Sequence, residues 1–373
     1  MHKKIEKWLL CGLLLMPYFV HAKAVIATIP VGLNPAGIAL TPDNHYAYVA
    51  NNNNDGIPGG DTVSVIDLAT NTVIKTISDA SFNQPYTVTI NAAGTRAYVT
   101  NSAGATITII DIATNTVVGT IGGFDGPSGM VITPDGTTAY VNNYGGPILG
   151  SGNGMTVRVV NLNTNLIVGA AITVGQAPAS LAITPDGAFV YVINYVDGFP
   201  RTGTISIIQT STNAVVGTIP GFSGPFAIAI TPNGKYAYVT NFGSNNFLPF
   251  GTTVSVVNLQ NNTVVATPTV GTQPSGVAIT PDGLLAYVSN YNTLYLGPDF
   301  TDLTAGQGTI NIIDTCSNRV LCCVIVVGLS PDAIAIAADG SRAYVTNYTS
   351  DTVSVLHIVD TMWLQSNVCN AKK

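Results

Sequence analysis

A tetrapeptide with the pattern Tyr-Val-x-Asn occurs seven times in the 373-residue chain and constrains its fold more than any other feature. Its tyrosines follow one another at spacings of 50, 42, 51, 47, 49 and 57 residues. A repeat with this period is typical of chains built from one supersecondary unit used many times. The seven copies are Tyr48–Asn51, Tyr98–Asn101, Tyr140–Asn143, Tyr191–Asn194, Tyr238–Asn241, Tyr287–Asn290 and Tyr344–Asn347.

Each unit contains four short runs rich in Val, Ile, Thr and Tyr, and turn sequences separate the runs. The first turn reads Thr-Pro-Asp-Gly or a close variant, in which Pro fixes φ and Gly accepts a positive φ. The runs have the length of strands, and no segment keeps a 3.6-residue apolar period, so helices should be nearly absent. The sequence therefore predicts an all-β fold, a seven-bladed β-propeller of four-stranded antiparallel blades.

The same motif resembles the YVTN-type β-propeller repeat family, which includes surface-layer-like proteins and periplasmic or secreted propellers. The resemblance covers essentially the whole chain after residue 22. It implies the propeller fold strongly but says little about function, because propellers carry unrelated activities.

The last unit lacks a good fourth run, since HIVDTMWLQSNVCNAKK follows its third run at 352–356. The missing run has its near-copy at the other end of the chain, in residues 25–31. We therefore expect the N-terminal strand to complete the last blade, close the ring and cover an open sheet edge. The alternative is that the tail supplies this strand and that residues 24–32 form a loose arm.

Residues 1–22 have the pattern of a signal peptide: a basic start, an apolar run from Trp8 to Val20, and small residues before Ala22. That run is too short to span a bilayer, and no later apolar run reaches the necessary length. We expect residues 23–373 to form one exported propeller domain with a C-terminal tail at 358–373. The predicted location is periplasmic, secreted or at the cell surface.

The chain after residue 22 is acidic, with 5 Lys, 5 Arg and 18 Asp, a net charge of 10 − 18 = −8. This balance argues against nucleic acid or an anionic membrane as the main partner. Only 9% of the residues are charged. Sheets stacked face to face would explain this composition, because most strands would then be buried on both sides. We expect the protein to be a monomer.

The loop after the Tyr-Val-x-Asn run varies in length, whereas the two turns at the opposite end of each blade do not. Long loops on a rigid scaffold are where binding usually occurs, so any ligand is assigned to the end that carries them. The extended loops are 51–61, 144–155, 195–203, 242–252 and 291–308.

Aromatic residues follow the repeat Asn in five units, and others lie further along the loops. They would either form a stacking surface for a sugar, a peptide or a lipidic tail, or pack the loops on one another, which aromatic side chains favour by default. The Asn residues of the motif are expected to satisfy loop backbone groups. The predicted ligand-binding residues are Tyr144, Tyr195, Asp197, Phe199, Arg201, Phe242, Tyr291, Tyr295 and Tyr348.

The sequence offers little catalytic chemistry after residue 22, with no Glu and only His45 and His357. This excludes multi-His metal sites, and no haem-attachment motif or phosphate-binding loop is present. No catalytic residue and no cofactor is predicted. Asp197 with Arg201 would be a minimal acidic–basic pair, although a solvated loop pair is the simpler interpretation.

Two loops contain pairs of Asp residues that would suit Ca²⁺, although neither matches an EF-hand and Asp is an ordinary turn residue. These weak candidates are Asp55, Asp61, Asp299 and Asp302.

Four cysteines, an even number, remain in the exported chain and suggest disulfides. Our hypothesis is that Cys369 bridges to Cys322 or Cys323 and fixes the tail across the sixth blade. The candidates are Cys316, Cys322, Cys323 and Cys369.

The sequence thus favours an exported, non-catalytic binding protein whose partner is a protein, a peptide or a glycan. The alternative is a hydrolase that resembles the seven-bladed lactonases, which use acidic, His and Arg residues at the channel mouth. An outer-membrane barrel fits less well, because its strands would need about 9–11 residues. Convergence of Asp, Arg and His at the channel mouth would favour the enzyme.

Overall fold

A computed structural model describes residues 25–54, 56–146, 153–195, 202–243, 250–295, 303–321 and 324–358. Within these ranges every regular element is a β-strand, which confirms the predicted all-β class. They also contain no helix that is long and apolar enough to cross a membrane.

The first half of the chain contributes one N-terminal strand and the first three blades. These strands are β1 (Val25–Pro30), β2 (Pro35–Leu40), β3 (Tyr46–Asn51), β4 (Thr62–Asp67), β5 (Thr72–Ser78), β6 (Pro85–Ile90), β7 (Arg96–Asn101), β8 (Thr106–Asp111), β9 (Thr116–Gly122), β10 (Pro127–Ile132), β11 (Thr138–Asn143), β12 (Thr156–Asn161) and β13 (Leu166–Thr173).

The second half contributes the other four blades and a small hairpin. These strands are β14 (Pro178–Ile183), β15 (Phe189–Asn194), β16 (Thr202–Gln209), β17 (Ala214–Ser223), β18 (Pro225–Ile230), β19 (Tyr236–Asn241), β20 (Thr253–Asn258), β21 (Thr263–Ala266), β22 (Pro274–Ile279), β23 (Leu285–Asn290), β24 (Thr293–Tyr295), β25 (Leu303–Ala305), β26 (Gln307–Asp314), β27 (Arg319–Val320), β28 (Ile325–Leu329), β29 (Pro331–Ile336), β30 (Arg342–Asn347) and β31 (Thr352–His357).

Each blade is an antiparallel meander, and the first strand of each blade contacts the first strands of both neighbouring blades. Seven sheets arranged in this way form a ring, which confirms the seven-bladed propeller. Blade six departs from the pattern, because β27 and β28 both pair with β26 and share the place of a fourth strand. The hairpin β24–β25 belongs to the long loop of the same blade.

The ring closes through β1, which pairs with β31 as the fourth strand of blade seven. Its register places Thr28 opposite Ser354 and Pro30 opposite Thr352. Ile29 is 2% exposed and packs with Val353 in the apolar core between blades seven and one. The predicted closure is therefore confirmed, and the observed strand ends at Pro30, one residue before the predicted end.

The core consists of apolar layers between adjacent blades, and the inner three strands of each blade are largely buried in them. The outermost strands behave differently. Side chains such as Val118, Leu166, Val216 and Val326 are more than half exposed. Most strands are therefore buried, as the sequence predicted, whereas a rim of β-branched and Leu side chains on the outermost strands faces solvent.

The motif Asn joins the second strand of a blade to its third strand. Asn51 Nδ2 donates to Thr62 Oγ1 at 2.9 Å and to Ser64 Oγ at 3.0 Å, and most other blades repeat this pair of bonds. We expected these Asn side chains to satisfy loop backbone groups. They do so only in part, as when Asn101 Oδ1 accepts a hydrogen bond from the Asn83 backbone amide. In most blades the side-chain Nδ2 group donates instead to nearby hydroxyl oxygens of the third strand.

The turns between first and second strands are nearly identical, as their sequences indicate. In the turn at 133–136, Asp135 Oδ1 accepts from Thr133 Oγ1 at 2.5 Å and from the Thr137 amide at 3.0 Å. Gly136 has a φ of 72°, a conformation that favours glycine. These turns, with those between third and fourth strands, define the turn face of the propeller.

Candidate functional site

The loop face, opposite the turn face, carries the segments that follow each motif Asn and the links between blades. Several predicted site residues lie outside the described residues, so their roles stay predictions. They are Asp55, Asp197, Phe199, Arg201, Asp299, Asp302, Cys322, Cys323 and Cys369. Tyr295 lies in β24, and its side chain is likewise not described.

The five aromatic residues that directly follow a motif Asn are brought together around the central channel. Each is fixed by its backbone amide, which donates to the link that precedes the first strand of the same blade. Tyr195 N donates to Ala177 O at 2.9 Å, and Phe242 N to Gly224 O at 2.9 Å. The aromatic residues at this position are Tyr144, Tyr195, Phe242, Tyr291 and Tyr348.

Two aromatic residues of the inner strands join this group, which we call the aromatic collar. Tyr86 of β6 and Phe226 of β18 pack against Tyr144 and Tyr195. The Phe226 ring lies 6.2 Å from Tyr195 and 5.2 Å from Phe242, and Phe242 lies 6.1 Å from Tyr291. Blades one and two place polar residues, Asn52 and Ser102, at the position after the motif Asn, so the arc is not complete.

Most of the collar is buried. Tyr144, Tyr195, Phe242 and Tyr348 are only 2%, 1%, 3% and 8% exposed. Burial of this extent supports the packing alternative for these four side chains, because a stacking surface must present its ring faces to solvent. Direct ligand contact by the collar stays a prediction.

Next to the collar, a cavity of about 160 Å³ lies on the propeller axis and is lined by all seven inner strands. Its lining is mostly small, with Gly37, Gly129, Ala227 and Gly276 among the residues. At Gly276 the neighbouring strand leaves no room for a side chain, because a Cβ atom would lie 2.5 Å from the Asp332 carbonyl oxygen. Close contact between inner strands therefore leaves an axial space.

One carboxyl group, that of Asp332, lines this cavity. Asp332 is the second residue of β29, where the other inner strands have Ala36, Tyr86, Ser128, Ala179, Phe226 and Ser275. The Asp332 side chain is partly accessible from the cavity. Protein surrounds it on the other sides, and this burial raises the pKa of its carboxyl group to about 7. Sequence analysis missed it, although a comparison of the seven inner strands would have shown the single charged residue.

The pKa values of the tyrosines around Asp332 are also raised. Burial, followed by the Asp332 charge, raises the pKa of Tyr291 to about 12 and that of Tyr86 well above its ordinary value. Both causes oppose formation of a phenolate, since a second negative charge would stand in the same enclosed space. These tyrosines therefore act as neutral hydrogen-bonding and aromatic groups.

Asp, His and Arg do not converge at the channel mouth within the described residues, and no Lys, Arg or His lines the cavity there. His45 and Arg342 lie instead on the turn face, in a groove of about 440 Å³ between blades seven and one. His45 is exposed, with its Nδ1 3.2 Å from Asp43 Oδ2. Arg342 Nη1 donates to the Leu68 carbonyl at 3.0 Å and bridges the two blades.

The described ranges contain no group of three His, Cys, Asp or Glu residues able to hold a metal ion. Of the Ca²⁺ candidates, Asp61 accepts a hydrogen bond from the Gln84 amide at 3.1 Å, so it joins blades one and two. Among the cysteines, Cys316 is disulfide-bonded. The predicted Cys369 pairing involves residues that are not described.

No protein-family model matches the chain, and a search of curated proteins found no match. Among solved structures, it is similar to a chain of the hydrazine synthase of Kuenenia stuttgartiensis. The TM-score is 0.73 at 21% identity, over 88% of this chain and 97% of that chain. Identity this low shows the fold alone. Because 1658 solved chains match, the likeness selects no function.

Proposed function

We propose that this protein is an exported, non-catalytic binding protein that contacts its ligand through the loop face. The observation that carries this proposal is the difference between the two faces of one propeller. The turn face repeats the same hydrogen-bonded turn from blade to blade, as at Asp135, Asp186 and Asp282. The loop face carries segments of unequal length on the same rigid strands.

A rigid scaffold with variable loops on one side is the arrangement that proteins use for recognition. The backbone bonds at Tyr195 and Phe242 support this, because they fix the first residue of two long loops to the links that precede the inner strands. The net charge of −8 after residue 22 favours a neutral or basic partner, such as a protein, a peptide or a glycan. Membership of the YVTN-type repeat family and export through a signal peptide are parts of the same proposal.

The test begins with the purified 23–373 chain on glycan and peptide arrays. The loop of blade six, 291–308, is then replaced by the four-residue loop of blade two, SAGA (102–105), since both loops join a motif Asn to a third-strand Thr. A second variant replaces the blade-one loop, 52–61, in the same way. We expect at least one replacement to abolish binding of the array hit.

Lys235→Ser serves as the matched control, because Lys235 is exposed on the turn face. Loss of binding in this control, with full binding in both loop variants, would place the ligand on the wrong face for the proposal. The same protein is assayed with a panel of chromogenic lactones and esters. Turnover that depends on Asp332 would replace the binding proposal with the lactonase-like alternative.

A further inference from the structure

We propose that the axial cavity is a binding site for a small organic ammonium ion, with the Asp332 carboxylate as its counter-ion and the rings of Tyr86 and Phe226 as its aromatic walls. All three side chains line the same cavity of about 160 Å³. This site lies inside the propeller and shares Tyr86 and Phe226 with the collar, and its existence does not depend on recognition by the long loops.

The carboxyl group of Asp332 is isolated from other side chains. Within the described residues, no hydrogen-bond donor reaches the Asp332 side chain, and no Lys, Arg or His lines the cavity. Only its backbone carbonyl is engaged, by Ser289 Oγ at 3.0 Å. Enclosing a carboxylate without a cation is costly, and a bound cation of matching size would offset that cost.

The groups around Asp332 favour an organic cation over a metal ion. A metal ion needs several oxygen ligands, and the described residues offer no cluster of three ligating side chains. The nearby inner-strand carbonyls already accept hydroxyl protons, as Ala36 O does from Thr346 Oγ1 at 2.6 Å and Ser275 O from Thr240 Oγ1 at 2.9 Å. Aromatic faces beside one carboxylate instead suit an alkylammonium group, which cation–π contacts stabilise.

The volume of the cavity and the path into it limit the size of the ligand and its direction of entry. The cavity holds about five water volumes, so the ligand has roughly four to six non-hydrogen atoms. Tyr144, Tyr195 and Phe242 are buried at the loop-face end. Further along the inner strands, Ala39 and Ala229 are partly exposed, as are their equivalents in the other five blades. The ligand therefore enters from the turn face.

The probe is tetramethylammonium chloride, titrated into the 23–373 chain by calorimetry at about pH 8, where Asp332 is ionised. We expect saturable binding with one site per chain. Asp332→Asn should weaken it at least about tenfold, because the variant keeps the shape and removes the charge. Asp339→Asn, an exposed change in a blade-seven turn, is the matched control and should leave the affinity unchanged.

Neutral tert-butanol, of similar shape, should not bind, and Phe226→Leu should weaken tetramethylammonium binding without changing its charge dependence. At about pH 5 the wild-type affinity should fall towards that of Asp332→Asn, since Tyr86 and Tyr291, the phenols coupled to Asp332, stay neutral at both pH values. Equal affinity in wild type and Asp332→Asn, or no saturable binding up to about 50 mM, would overturn the site. Saturation by Ca²⁺ but not by tetramethylammonium would do the same.

Discussion

The hydroxyl of Tyr238 in blade five donates a hydrogen bond to Oδ1 of Asn318 in blade six, over 2.7 Å. Asn318 lies in the turn between third and fourth strands and has a φ of 57°. Its side chain reaches towards the previous blade, where it accepts this bond. The same bond joins Tyr140 to Asn213 and Tyr191 to Asn262. In these blades the Tyr of the motif is therefore a latch to the next blade, and its partner is the Asn of a different repeated turn.

Tyr238→Phe should lower the free energy of unfolding by about 1–2 kcal/mol, because it removes the hydroxyl and keeps the buried ring. Denaturant unfolding measures the loss. Tyr98→Phe is the matched control, since Tyr98 occupies the same motif position and the described residues give it no such bond. A larger loss for Tyr98→Phe than for Tyr238→Phe would show that the latch does not stabilise the ring.

The fold could be predicted from the sequence because every blade of a propeller repeats the same pattern of strands and turns. The pairing of β1 with β31 followed for the same reason, since residues 25–31 copy a fourth strand. The Tyr–Asn latch was not predictable, because it depends on the rotation between neighbouring blades. Nothing in a single unit records that rotation.

The candidate site could be predicted only in part. The residues after the motif Asn share a face by topology, so their meeting near the channel follows from their position. Their burial does not, because it depends on Phe226 and Tyr86, which come from inner strands. Asp332 was missed for a related reason. Its chemistry depends on the cavity, which exists only when seven inner strands meet.

Ring closure can be tested by deletion of residues 24–32. The deletion removes β1, exposes the edge of β31 and leaves Val353 without the packing of Ile29. We expect the free energy of unfolding to fall by more than about 5 kcal/mol, because a whole strand and a buried Ile are removed. Deletion of Ala371–Lys373 is the control and should change the thermal midpoint little. Equal midpoints for the two truncations would contradict closure by β1.

The third residue of the motif can be tested where blade seven meets blade one. Thr346 Oγ1 accepts from the Ala333 amide at 2.9 Å and donates to Ala36 O at 2.6 Å. Thr346→Val keeps the shape and loses both bonds, so unfolding should become easier by about 2–3 kcal/mol. Thr346→Ser keeps the hydroxyl, as Ser289 does in blade six, and should retain most of the stability. Equal losses in the two variants would assign the effect to packing.

The Asp332 carboxyl should also give the protein a specific dependence of stability on pH. Burial raises its pKa to about 7, whereas an unfolded Asp titrates near about 3.9. Between these values the unfolded chain has already released the proton that the folded chain still holds. Raising the pH therefore favours unfolding, and the loss grows from about pH 4 to about pH 7 before it levels.

Asp332→Asn should remove this slope, so the variant should be more stable than wild type at about pH 8, by an amount on the order of a few kcal/mol. Asp339→Asn should act in the opposite sense, because hydrogen bonds from the Ser341 amide and hydroxyl lower the pKa of Asp339. Its contribution to stability is present above the unfolded pKa and disappears as the pH falls through the lowered value. Urea unfolding at a series of pH values from about 3 to about 8 measures both effects. An unchanged slope in Asp332→Asn would mean that Asp332 is solvated like a surface carboxylate, and the enclosed anionic cavity would then be incorrect.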